Sequence, residues 1–121
     1  MEEKRRFLRF DAPINLEFKV YSKGEDYSKG TMVNFSRQGL SFIAPEAELS
    51  LNQEVDVRFK IPNREVIVTC RGEVVWEKKE EGKMRIGIRV KEMDPYAKGE
   101  ILEYAYNNWV LQMRKNNYQN N

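Results

Sequence analysis

No histidine occurs anywhere in the 121 residues. Its absence excludes His-dependent triads, imidazole general bases and the usual imidazole metal sites. Cysteine occurs once, as Cys70, so no intramolecular disulfide can form and a cysteine-based zinc site is excluded. No apolar run approaches the ~18 residues of a membrane span. The start Met1-Glu2-Glu3-Lys4-Arg5-Arg6 lacks the apolar core of a signal peptide. A cytoplasmic protein without membrane insertion is the expectation. An excess of charge is missing too: 21 Lys and Arg face 19 Asp and Glu, a net charge of +2. That balance argues against DNA or RNA as a bulk partner, so any anion binding must be local.

What is present is a soluble, globular composition, 40% hydrophobic and 33% charged. The length fits one domain, able to bury roughly two-thirds of its unfolded surface. Strand periodicity runs through most of it. Ile14, Leu16, Phe18 and Val20 alternate with polar residues, and Ser22-Lys23-Gly24-Glu25-Asp26 supplies a turn. Further strands are expected around Gly30–Phe35 and over Leu40–Ala44, the latter stopping before Pro45. Val55, Val57, Phe59 and Ile61 alternate next, with a tight turn at Pro62-Asn63. The stretch from Glu65 to Trp76 is long for one strand, and Gly72 within it suggests a bend or bulge. After a charged turn at Lys78–Gly82, Met84, Ile86, Ile88 and Val90 alternate again.

At Asp94-Pro95 the period changes. Asp94 can cap a helix and Pro95 suits its first turn. Ile101, Leu102, Ala105, Trp109, Val110 and Met113 then recur at helical spacing, enough for about four turns. Six strands and one final helix predict an all-β fold with a C-terminal helix: a six-stranded antiparallel β-barrel capped by one α-helix. The expected divisions are an N-terminal arm over residues 1–12, the barrel and helix over 13–114, and a polar tail over 115–121.

Two stretches carry chemical information. Near the start, Lys4-Arg5-Arg6-Phe7-Leu8-Arg9 reads as a solubilising tail, a nucleic-acid arm or one half of an anion site. Downstream lies Val33-Asn34-Phe35-Ser36-Arg37-Gln38-Gly39-Leu40. Alternation places Val33 and Phe35 toward the core, so Asn34 and Ser36 form a polar ledge on the opposite face. Gly39 lets the backbone turn or approach a ligand closely. Taken alone, Asn, Ser and Gly here describe only a turn.

Together, Arg5-x-x-x-Arg9 and Asn34-x-Ser36-x-x-Gly39 resemble the two half-motifs of the PilZ domain family, RxxxR followed by (D/N)xSxxG. Gly72-Glu73-Val74-Val75-Trp76 and Ile86-Gly87-Ile88-Arg89-Val90 are similar to two of its strands, with Val90 where an aromatic is usual. The resemblance covers residues 4 to 110. It implies a bacterial receptor for the second messenger cyclic di-GMP, built as a barrel with a C-terminal helix and without cofactor or metal. Arg5 and Arg9 would clamp the ligand from an arm that wraps it, Asn34 and Ser36 would hydrogen-bond guanine, and Gly39 would allow close approach. Arginine suits such a ligand: its planar fork donates two hydrogen bonds to phosphate or to a guanine edge, and its face stacks on a base. Arg6 falls outside the two fixed positions, although the family often carries a basic residue there. Trp76 either packs in the core or walls the guanine.

Other residues read as structural. Cys70 shares the parity of Val66, Val68 and Val74 and is expected to be a buried, inert thiol. Arg37 is expected in solvent, and the helix stripe as core or dimer contact, in a monomer or homodimer. No nucleophile–base pair, metal ligand set or phosphate loop appears, so an enzyme is not expected. The expected function is a single-domain cyclic di-GMP receptor that relays ligand state to a protein partner. The alternatives are a PilZ-like adaptor that binds protein only and a single-strand nucleic-acid barrel.

Overall fold

Alternation is what builds the sheet. In β2 (Asn15–Val20) and β5 (Glu54–Lys60) every second side chain is buried, and Leu16, Phe18, Val55, Val57 and Phe59 enter one core. Each such side chain gains about 1.5–3 kcal/mol by leaving water, while the polar residues between them stay on the outer surface. The fold is that of a computed structural model describing residues 10–11, 13–21, 26–45 and 49–119, with side chains from Pro13 to Lys115.

The remaining strands are β1 (Phe10–Asp11), β3 (Ser28–Phe35), β4 (Gly39–Ala44), β6 (Ile67–Glu80) and β7 (Lys83–Met93). All pairings are antiparallel, in the order β3-β2-β5-β6-β7-β4, and β4 returns to pair with β3. Six strands thus close a barrel, as expected, and the two-residue β1 pairs with Asn34 and Phe35 at the end of β3 that β2 leaves uncovered. Closure leaves no long unpaired edge and lets Phe42, Met32, Phe35, Ile86 and Val74 fill the interior.

Turn chemistry follows the sequence in part. Asn63 adopts φ +63° in the turn after Pro62. Lys78–Glu80 belong to β6 rather than to a turn, which shrinks to Glu81-Gly82, both at positive φ. Two positive φ values in succession fit a tight hairpin turn. Of the predicted turn at Ser22–Asp26, all but Asp26 lies outside the described residues.

Three register shifts interrupt the ladder: at Met32/Asn34, at Arg71/Gly72 and at Val74/Trp76. The shift at Gly72 agrees with the expected bend. The shift at Val33 corrects a placement: Met32 and Phe35 are buried, and Val33 is only partly covered. An extra residue on β3 lets two side chains three apart both face inward, which strict alternation forbids.

Helix α1 (Pro95–Gln119) begins as expected, with Asp94 Oδ2 accepting from the Ala97 amide at 3.0 Å. Ala97, Ile101 and Ala105 make the buried stripe. Arg64, from the β5–β6 turn, donates to Glu100 at 2.8 Å and to Glu103 at 2.9 Å, tying the helix to the barrel. The helix is longer than expected, at 25 residues, and in its second half Trp109 is 43% and Met113 44% exposed, lining a cleft with Pro13, Met32 and Val33. Of the apolar stripe predicted through Met113, the fully buried part ends at Ala105.

Candidate functional site

The turn between β3 and β4 anchors the site. The Ser36 amide donates to the Gly39 carbonyl at 2.8 Å. Ser36 Oγ accepts from the Gln38 amide at 3.3 Å and the Gly39 amide at 3.4 Å. Ser36 is thus buried against its own turn, one residue beyond the end of β3, instead of sharing an open ledge with Asn34. Gly39 is required by contact: a Cβ there would stand 1.9 Å from the Ile88 carbonyl oxygen. Arg37 is exposed, as expected.

From Asn34 a row of residues crosses the outer surface of four strands. Asn34 pairs with Ser41 on β4, Ser41 with Gly87 on β7, and Gly87 with Trp76 on β6. Ser41 Oγ donates to Asn34 Oδ1 at 3.0 Å, which makes the other side of the amide, Nδ2, the available donor. At Gly87 the missing side chain is replaced by the indole of Trp76: a Cβ would lie 2.1 Å from Nε1. Strict alternation gives Trp76 the inward parity of Val74. The extra residue Val75 reverses it, so Trp76 opposes the outward Gly87 while Val74 opposes the inward Ile88. The indole therefore lies on the outer surface over Gly87 and does not pack in the barrel core.

Arg85 follows two residues from Gly87 on the same face of β7. Its guanidinium carbon sits 6.0 Å from the Trp76 ring centre, and its buried Nε has no hydrogen-bond partner among the described residues. Arg89, on the other side of Gly87, is instead neutralised by Glu73. Sequence reasoning missed Ser41, Gly87 and Arg85 as parts of this face. A glycine inside a strand signals close approach and could have drawn attention to Gly87. Arg85 carries no such signal.

Arg5, Arg6 and Arg9 lie outside the described residues. The described chain begins at β1, where Phe10 pairs with Phe35 and Asp11 with Asn34. Cys70 is buried as expected, and burial, with a smaller contribution from Asp56, pushes its thiol up to about 12.

With this geometry in place, comparison with known proteins gives a family. The sequence matches the PilZ domain over residues 3–107. The chain belongs to the PilZ domain family. No curated protein matches it in sequence. Among solved structures, the PilZ domain of YcgR from Escherichia coli with c-di-GMP superposes at TM-score 0.74 and 12% identity, covering 95% of this chain and 98% of that one. The Bacillus subtilis inhibitor of motility MotI/DgrA gives TM-score 0.76 and 14% identity, covering 90% of this chain and 53% of that one. YcgR of Escherichia coli in complex with c-di-GMP gives 0.74 and 13%, with 96% and 50% covered. This PilZ chain thus spans about half the length of MotI and of that YcgR structure. Among the described residues, no helix is long and apolar enough to cross a membrane.

Proposed function

We propose that this PilZ domain is a non-catalytic, cytoplasmic receptor for cyclic di-GMP that passes its ligand state to a protein partner. The observation carrying the reading is the convergence of Asn34 and Trp76 on one outward row, beside the Ser36–Gly39 turn, where β1 leads in the arginine-bearing segment. In the sequence Arg9 directly precedes Phe10, which pairs with Phe35 on β3.

The chemistry suits a ligand with two phosphodiesters and two guanines. Asn34 Nδ2 donates to a guanine edge, Trp76 supplies a stacking wall, and Ser36 shapes the turn that Gly39 lets the ligand approach. Arg5 and Arg9 supply the forks for phosphate and base, with Arg6 as a third cation and Arg85 as a fourth beside the indole. Closing an arm costs ~1–2 kcal/mol per residue ordered. Each charge-assisted hydrogen bond returns about 1.5–3 kcal/mol, so more than one arginine is required. The PilZ domain of YcgR, whose structure contains c-di-GMP, supports the ligand.

Isothermal titration with cyclic di-GMP tests the reading. Wild-type protein should bind at micromolar concentration or tighter. Arg9→Ala should weaken binding by at least about tenfold with an unchanged circular dichroism spectrum, since one such bond exceeds 1.4 kcal/mol. No heat from the wild type in low salt would overturn the receptor; an unchanged Arg9→Ala affinity would remove Arg9 from the site.

A further inference from the structure

Away from the nucleotide row, a groove of 820 Å³ crosses the outer surface of β4, β3, β2 and β5 to the start of β6. The ladder defines its axis: Ile43 pairs with Thr31, Thr31 with Asn15, and Lys60 with Ile67, while Leu16 pairs with Phe59 and so brings Asn15 level with Lys60. The groove therefore has an isoleucine at each end, Ile43 partly covered and Ile67 71% exposed. Four inter-strand spacings separate the two, about 19 Å measured along the sheet.

Its walls are cationic. Lys29, Arg58, Lys60 and Lys83 line it against one carboxylate, Glu17, which is already bonded to Arg58 Nε at 2.6 Å. Lys60 has only a 3.7 Å pair with the outlying Glu65, itself 95% exposed. Charge so concentrated, in a chain of net charge +2, is a local feature. We propose that this groove docks an acidic amphipathic segment of a partner protein, its carboxylates over the lysines and its apolar residues on Ile43 and Ile67. Charge complementarity selects the acidic partner, and the two isoleucines select a protein over a nucleic acid, because among the described residues the groove's only aromatic lining residue is the buried Phe59, which offers no face for base stacking.

The position of the groove gives it access to ligand state. Ile43 stands two residues from Ser41 on the same face of β4 and directly opposite Arg85 on β7. One end of the docked segment would thus abut the nucleotide row. This dependence on ligand rests on the receptor reading; the docking itself does not.

The test uses the full chain and a fluorescein-labelled peptide of about 14 residues, with leucines at helical spacing and glutamate elsewhere. At ~1.5 Å per residue it spans the groove. A matched peptide with lysine for glutamate and an oligothymidine of similar length serve as competitors. The acidic peptide should raise the anisotropy, with amide shifts gathered at Thr31, Ile43, Lys60 and Ile67, and neither competitor should displace it. Lys29→Glu with Lys83→Glu should weaken the peptide at least tenfold while cyclic di-GMP binding stays at the wild-type level. Equal binding by the variant, shifts elsewhere, displacement by oligothymidine or no binding at all would overturn the groove. Failure of the wild type to bind cyclic di-GMP would overturn the receptor reading and leave the peptide result standing.

Discussion

The indole of Trp76 occupies the space that a side chain at Gly87 would need: a Cβ there would sit 2.1 Å from Nε1 and 2.2 Å from Cε2. The relationship holds an apolar strand residue on the outer surface of the barrel. It exists only because Val75 is an extra residue in β6, which moves Trp76 to the outer surface.

Gly87→Ala should therefore displace the indole while sparing the core, because the atoms it meets belong to a side chain and not to backbone. The expected outcome is a red shift of Trp76 emission, read in a Trp109→Phe background, with cyclic di-GMP affinity about tenfold lower, or ~1.4 kcal/mol. Unchanged emission would show that Trp76 does not rest on Gly87.

Ser41→Ala removes the donor to Asn34 Oδ1 and frees the amide to rotate. A neutral hydrogen bond contributes about 1 kcal/mol, so nucleotide affinity should fall about fivefold. Since Ser41 acts through Asn34, the double variant with Asn34→Ala should lose much less than the sum of the two single losses. Titration calorimetry on the four proteins checks this.

Arg85 has a buried Nε with no hydrogen-bond partner among the described residues, so removing the side chain relieves an unsatisfied buried donor. Arg85→Ala should leave the melting temperature at or above the wild-type value and weaken cyclic di-GMP by tenfold or more. A lower melting temperature with unchanged affinity would make Arg85 a purely structural residue.

Cys70 links stability to alkaline pH. Burial raises its thiol from 9.0 to about 12. In this interval the unfolded chain has released the proton and the native chain still holds it, so the contribution is complete below pH 9 and fades as the pH climbs toward 12. Urea unfolding should show stability declining by up to about 1.4 kcal/mol per pH unit from this group. A Cys70→Ala protein should lack that component, and the native thiol should resist alkylation at pH near 8.

Much of the fold was legible because burial of one sheet face writes itself into the chain at period two. Ile14, Leu16 and Phe18, and again Val55, Val57, Phe59 and Ile61, sit in the core as their spacing requires. The helix start was equally plain, since Asp94 and Pro95 act within one turn of chain. Asn34, Ser36 and Gly39 were legible as a motif, yet their division of labour was not: Ser36 spends its oxygen on the turn, and Asn34 is oriented by Ser41, seven positions away.

The sequence by itself determined the strand faces away from the bulges, the entry to the helix, the buried thiol and membership of one family, all of which depend on neighbours along the chain. Only the tertiary structure decided that Val33 and Val75 are extra residues, because a bulge is a relation between two strands and leaves no mark in the alternation of either. Those two shifts bring Met32 into the core and Trp76 out of it. With closure of β4 onto β3 and β7, they align Asn34, Ser41, Gly87 and Trp76 across the barrel surface.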